Sequence, residues 1–182
     1  EGHGYQTLPS ADLLPQDDQS VLFTGATITP LKGFLAKGLS SPGYCLVQKC
    51  FRSKRLDEMI DLNKIPDWTH YFTMCGMLAA PGRLDEISDE AYTLLIERLK
   101  IDKNNLLILA VSEDRDLSKY WKARGIRVEE NDGDKESYRW KYGIPDIHGR
   151  GINFLLRKDE GHPYRELGNL VSIENLEGEV KA

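Results

Sequence analysis

Two runs rich in aromatic and β-branched residues, GYCLVQKCF (43–51) and THYFTMC (69–75), alternate enough to give each two unlike faces. Only a charged segment ending at a proline, SKRLDEMIDLNKIPDW, lies between them, so the pair predicts an antiparallel hairpin. Upstream, EGHGYQTLPSADLLPQDDQ is punctuated by Pro9 and Pro15 and reads as an extended lead-in, followed by a strand over SVLFT (20–24). Downstream of Pro81-Gly82 the period changes. In DEISDEAYTLLIERLKI the residues Ala91, Leu94, Leu95 and Leu99 fall on one helical stripe, with acidic residues at the N-terminal end, where they complement the helix dipole. LLILAV (106–111) predicts a buried strand, DRDLSKYWKARG an amphipathic helix closed by Gly125 beyond its end, and IRVEEN an alternating strand. A turn-rich NDGDKES and a glycine-spaced KYGIPDIHGRGINFLLR follow, and ELGNLVSIE (166–174) is the last strand.

Strands adjacent in sequence with helices inserted as a block imply an α+β protein, an antiparallel sheet flanked by helices, rather than an alternating βαβ pattern. Neither G-x-G-x-x-G nor G-x-x-x-x-G-K-[ST] occurs, so no helix N-terminus is built to cradle phosphate, and a nucleotide would have to bind on the sheet. There is no repeat and no linker-like composition, and 182 residues suit one domain spanning 1–182.

Composition narrows the function. With 40% hydrophobic and 29% charged residues the chain is ordinary for a globular protein, and no apolar run approaches the roughly 20 residues of a membrane span. A net charge of -5 argues against sequence-independent nucleic-acid binding. Cys45, Cys50 and Cys75 lack metal or disulfide-framework spacing, which fits a reducing cytoplasm, and Cys50 and Cys75 read as small hydrophobes on neighbouring strands. His148 and His162 have no third ligand at sensible spacing, so no metal site is expected; His70 reads as a surface histidine and Trp121 as core. The chain begins at Glu1 without an initiator methionine or a signal peptide, which suggests a trimmed or excised piece of a longer protein.

On a hairpin, an arginine ending one strand and an aromatic on its partner can address two parts of one nucleotide. The guanidinium suits a phosphate and a ring face suits a purine, and Arg52 and Phe72 are placed for that division. The competing reading pairs Arg52 with a loop carboxylate such as Asp57 or Glu58 and leaves Phe72 in the core.

These residues resemble the catalytic domain of the alanyl-tRNA synthetases, which are class II aminoacyl-tRNA synthetases. Gly2 and His3 followed by LPSADLLPQDDQSVLFTGATITPLKGF look like the family's G-H…V-P-S…L-L-F-T-N-A-G-M…F-K run. QKCFR (48–52), a charged loop and THYFTMCG (69–76) resemble its motif 2, Q-[KR]-C-V-R with H-T-F-F-E-M-L-G. DKESYRW is similar to D-K-x-x-F-W, and LGNLVSIE to I-W-N-L-V-F-M-Q. Order and spacing hold over nearly the whole chain.

The resemblance implies a class II synthetase fold and formation of an aminoacyl adenylate from ATP and an amino acid, with alanine as first candidate and tRNA as acceptor. It implies that Arg52 binds the α-phosphate, Phe72 stacks under adenine with Met74 beside it, and Lys54 or Arg55 approaches the phosphates, which magnesium bridges. Trp140 would be a wall of the amino-acid pocket or ordinary packing, Asn169 a polar orienter, and Val171 its neighbour. The family's motif-2 glutamate is Thr73 here, its F-T-N-A asparagine is Gly25, and GIPDIHGRGIN replaces G-P-C-G-P-C-S-E. The sequence stops at GEVKA, before the family's motif 3, so it is expected to be either cut short of that motif or a diverged paralogue. Two alternatives therefore stand beside the synthetase: a non-catalytic paralogue that binds an amino acid, a nucleotide or a protein, and a ligase that delivers its adenylate to an acceptor other than tRNA.

Overall fold

The structure is a computed structural model that describes residues 3–16, 18, 20–40, 42–53 and 69–182. The chain divides into two compact units, Glu1–Ala80 and Pro81–Ala182.

The first unit is built on the hairpin. Strand β2 (Gly43–Phe51) pairs antiparallel with β3 (Tyr71–Ala79), Cys50 facing Phe72 and Gln48 facing Met74, and a two-residue strand β1 (Gln6–Thr7) joins β2 in parallel. The first arm is the predicted one, and the second runs four residues further than expected. A helix, α1 (Lys32–Lys37), follows a 3-10 turn and packs its Phe34 against Tyr44 with ring centroids 4.2 Å apart. The face of β2 carrying Leu46, Gln48 and Cys50 is buried. The lead-in lies across it: the fully buried Gln48 amide accepts from Ala11 N at 2.9 Å and donates to Ala11 O at 3.0 Å, so both hydrogen-bonding groups of that strap residue are satisfied by one side chain.

The expected strand at 20–24 is absent. Leu22 is 82% exposed, and the segment is held by single bonds rather than a ladder: Thr24 N donates to Leu13 O, Thr24 Oγ1 to Asp12 O, and Phe51 N to Thr24 O. Apolar composition alone predicted a strand there, but among the described residues it meets β2 only through the single bond from Phe51 N to Thr24 O.

The second unit is a five-stranded sheet with helices packed on one face. Its central strand is β7 (Ile147–Leu156), which pairs antiparallel along its whole length with β8 (Arg165–Asn175). The other edge of β7 is shared by β6 (Arg139–Lys141) and β4 (Leu106–Ala110), and β5 (Arg127–Glu130) adds in parallel outside β4. The β4 and β5 strands are joined through α3 (Arg115–Ala123), a single βαβ step within an α+β protein whose other pairings in this sheet are antiparallel.

Helix α2 (Leu84–Tyr92) continues as a π-helical turn over Thr93–Arg98, which changes the angular step between residues. That change corrects the predicted stripe. Ala91 and Leu95 pack on the core together with Ile96, whereas Leu94 and Leu99 are 48% and 60% exposed. Helix α3 is closed by Gly125 at φ +77° and buries Leu117 and Trp121, with Trp121 stacking edge-on to Phe154 at 4.7 Å. The core is Tyr92, Leu106, Ile108, Ala110, Leu117, Trp121, Ile126, Ile152 and Phe154. No helix among the described residues is long and apolar enough to cross a membrane.

Candidate functional site

In the first unit the site forms where the hairpin's hydrogen-bond ladder ends. Beyond the Phe51–Tyr71 pair, Arg52 N donates to His70 O at 2.9 Å, and His70 Nδ1 is hydrogen bonded to Arg52 O, so the arginine backbone is still held to the partner strand. The side chain turns back over the sheet. Its guanidinium carbon lies 5.0 Å from the centre of the Phe72 ring, and its Nε donates to Gly25 O at 2.8 Å. Arg52 is exposed and Phe72 half-buried, which leaves both reachable from solvent. Met74, next on the same face, receives bonds at its sulfur from Thr27 N (3.5 Å) and Thr27 Oγ1 (3.6 Å). Thr27 approaches this closely only because position 76 is glycine: a Cβ there would lie against Thr27 Oγ1 and 2.6 Å from its Cβ.

The structure thus brings Arg52, Phe72 and Met74 together, framed by a 23–27 segment whose first two residues end the strand expected at 20–24. Cys50 is buried on this face, and burial pushes its thiol up and away from reactivity; Cys75 points to the opposite, exposed face. Lys54, Arg55, Asp57 and Glu58 lie outside the described residues.

In the second unit, Trp140, Asn169 and Val171 sit on one face of the sheet, opposite the helices. The registers are Trp140 to Gly149, Val171 to Gly151, and Asn169 to Asn153. The two glycines form a floor. A Cβ at Gly151 would fall 2.5 Å from Leu170 O, 2.9 Å from Trp140 Cζ3 and 3.1 Å from Val171 Cα. One at Gly149 would fall 2.7 Å from Val171 Cγ1 and against Tyr142 Oη. The indole and the valine therefore rest on bare backbone. Burial pushes the Tyr142 phenol well above its ordinary range, so it remains a neutral donor at physiological pH. Asn169 is exposed, while Asn153 across from it is half-buried.

The opposite face of the same strands carries an ion network at the start of α3. Arg150 forms a two-pronged pair with Asp116, both bonds at 2.8 Å, donates from Nε to Glu174 Oε1 at 2.7 Å, and reaches Asp114 at 3.4 Å. Arg139 donates to Asp114 at 2.6 Å, and Ser172 to Glu174 at 2.8 Å. Asp114 and Glu174 are 3% and 7% exposed, so these charges survive burial only through their partners. The Arg150 guanidinium holds the Asp116 carboxyl below its ordinary value against an opposing effect of burial, and Asp116 in turn raises Arg150.

Sequence reasoning noted Gly25 only as a departure from the family's asparagine, and it missed Thr27, Tyr142, Gly149, Gly151 and Asn153. For the last three a signal existed: G-x-G-x-N at 149–153 places two glycines and an amide on one face of any strand. Among the described residues no group of three or more His, Cys, Asp or Glu side chains is placed to hold a metal ion.

The family model described as tRNA synthetases class II (A) matches residues 1–146. The alanine–tRNA ligase of Pseudothermotoga lettingae is 32% identical over 123 residues, covering 67% of this chain and 14% of that protein. That of Desulforamulus reducens is 30% identical over 131 residues, covering 71% and 15%. That of Neorickettsia sennetsu is 27% identical over 197 aligned residues, covering 96% and 23%. The chain thus spans between 14% and 23% of the length of these relatives. With a family model matching residues 1–146 and relatives up to 32% identical over two thirds of its length, the chain belongs to the class II (A) tRNA synthetases and is similar to part of the alanine–tRNA ligases.

Proposed function

We propose that this chain forms one catalytic domain over 1–182 that activates an amino acid with ATP in the cytoplasm, with alanine as substrate and tRNA as the final acceptor. One observation carries the reading: Arg52 and Phe72 converge at the end of the β2–β3 hairpin, the guanidinium tethered to Gly25 O and lying 5.0 Å from the ring centre. ATP is held on this unit, with Phe72 under adenine, Met74 beside it and Arg52 on the α-phosphate; Lys54 approaches the phosphates. The amino acid is held on the second unit by Trp140, Val171 and Asn169.

In the reaction a carboxylate oxygen of the amino acid attacks the α-phosphorus, the bond from that phosphorus to the bridging oxygen breaks, and pyrophosphate leaves. The Arg52 guanidinium neutralises charge that grows on the α-phosphate oxygens, the kind of stabilisation that typically supplies several kcal/mol. Magnesium would be held chiefly through the phosphates of ATP, where it would offset their negative charge. The test is amino-acid-dependent ATP–pyrophosphate exchange across the standard amino acids, with Arg52→Ala and Phe72→Ala as controls. Exchange with alanine that falls at least a hundredfold in Arg52→Ala supports the reading.

Two observations favour a second reading, a paralogue that binds without catalysis. Arg52 covers the Phe72 ring face that adenine would take, and Thr73 stands where the family's motif has glutamate. No exchange with any amino acid, together with calorimetric binding of ATP or an amino acid, would establish it.

A further inference from the structure

On the glycine-floored face of the second unit, one polar atom has no partner. The Oδ1 of Asn153 is buried, and among the described residues nothing donates a hydrogen bond to it. An unsatisfied buried carbonyl costs stability unless something supplies a donor. Its position is specific. Strand β7 alternates regularly through residue 153, the register shift coming only between Phe154 and Leu155, so Asn153 shares the face of Gly149 and Gly151. It stands between Leu109 of β4 and Asn169 of β8. A two-residue step along β7, about 6.6 Å, separates it from Gly151, over which Trp140 and Val171 lie.

We propose that Asn153 binds the α-ammonium group of the substrate amino acid through Oδ1, with Asn169 facing it across the strand pair. The proposal rests on the reading that this face takes an amino acid, and it adds the group that recognises the amine. An orphan acceptor at one end and an apolar wall of Trp140 and Val171 at the other give a small α-amino acid two unlike contacts in one line. They also disfavour carboxylic acids that lack the amine, because such a ligand would leave the amide carbonyl unpaired.

The test is a titration of the 182-residue protein, followed by NMR chemical-shift changes, with L-alanine, propionate and ethylamine as probes. The proteins compared are wild type, Asn153→Leu and Asn153→Asp. Wild type is expected to bind L-alanine more tightly than propionate. Asn153→Leu should weaken L-alanine at least tenfold and leave propionate within about twofold, a selective loss that general damage to the sheet would not produce. Asn153→Asp, whose oxygens only accept, should retain or strengthen L-alanine and ethylamine binding. If Asn153→Asp abolishes L-alanine binding, the amide acts as a donor to the carboxylate and the proposal is overturned. Equal affinities for L-alanine in wild type and Asn153→Leu overturn it as well. Failure of wild type to bind L-alanine at all would instead sink the underlying reading of this face as an amino-acid site.

Discussion

Replacing Gly151 by alanine isolates the physical reason for the glycine floor. The added methyl would lie 2.5 Å from Leu170 O, 2.9 Å from Trp140 Cζ3 and 3.1 Å from Val171 Cα, each short of an ordinary contact. The indole can pivot, but the other two atoms are backbone of β8, and moving them strains a ladder that pairs Gly151 with Val171 and Ile152 with Leu170. Overpacking of this kind typically costs about 1–3 kcal/mol, and the backbone contacts place Gly151→Ala toward the upper end. Restricting the unfolded chain returns about 0.4–1 kcal/mol, leaving a net loss of about 2 kcal/mol. At roughly 2–4 °C per kcal/mol for a chain of this size, the midpoint should fall by about 4–8 °C.

Thermal melting followed by tryptophan fluorescence is the assay, since Trp121 and Trp140 both belong to the second unit. Gly168→Ala is the control: it lies in the same strand pair, where a Cβ would meet nothing within 4 Å, and it should melt within about 1 °C of wild type. Adding Trp140→Leu to Gly151→Ala should recover part of the loss, because it removes the one yielding contact. If Gly151→Ala melts like wild type with unchanged fluorescence, Trp140 does not rest on the backbone of Gly151, and the floor described here is wrong.

Other consequences can be checked separately. Gln48→Leu removes the side chain that satisfies both backbone groups of Ala11 and should cost about 1–3 kcal/mol in urea unfolding, with increased hydrogen exchange at the Ala11 amide. Gly76→Ala pushes Thr27 off Met74 and should weaken ATP binding, measured by calorimetry, more than it lowers stability. Arg150→Met removes the guanidinium partner of Asp116 and of the buried Glu174, while Asp114 keeps its bond from Arg139, and should cost about 3 kcal/mol at pH 7. The pH dependence has a definite sign. In wild type, Asp116 has a lowered value, so its contribution is complete above the usual carboxylate pKa near 4 and is lost as pH falls through the folded value. In Arg150→Met the guanidinium that lowers Asp116 is gone, so the gap from wild type should hold between pH 7 and pH 5 and narrow as pH falls from about 4 through the folded value of Asp116; a constant gap in urea midpoints across that lower range would contradict this.

The hairpin was legible because alternation, aromatic content and a charged intervening segment all agreed, and its first arm was placed with correct bounds at 43–51. Helix α3 was equally plain, since Leu117, Trp121 and Gly125 stand at helical spacing with a terminator. Strand β7 was not identified, although it is the centre of its sheet. Its glycines and charged residues mask the alternation, because one face is bare for Trp140 and Val171 to cover while the other holds Arg150 at one end and Ile152 and Phe154 in the core. The stripe through Leu94 and Leu99 failed for a different reason: a π-helical turn is a tertiary accommodation that a 3.6-residue period cannot express. For the site, pairing put Arg52 and Phe72 at one end of the hairpin with a competing reading still open, whereas Gly25 and Asn153 depend on how a non-repetitive segment and an unidentified strand approach them.

The Arg150 network has a dynamic consequence. Asp116 lies in the first turn of α3 and Glu174 near the end of β8, 58 residues apart in sequence, and one guanidinium clasps both. Neither element can detach without stranding a charge in a poorly hydrated setting, so partial openings that free only one of them are energetically suppressed. The amides of α3 and those of β8 near Glu174 should therefore exchange with solvent through a shared opening event, and that corner of the sheet should behave as a single cooperative block while the exposed end of the β7–β8 hairpin frays independently.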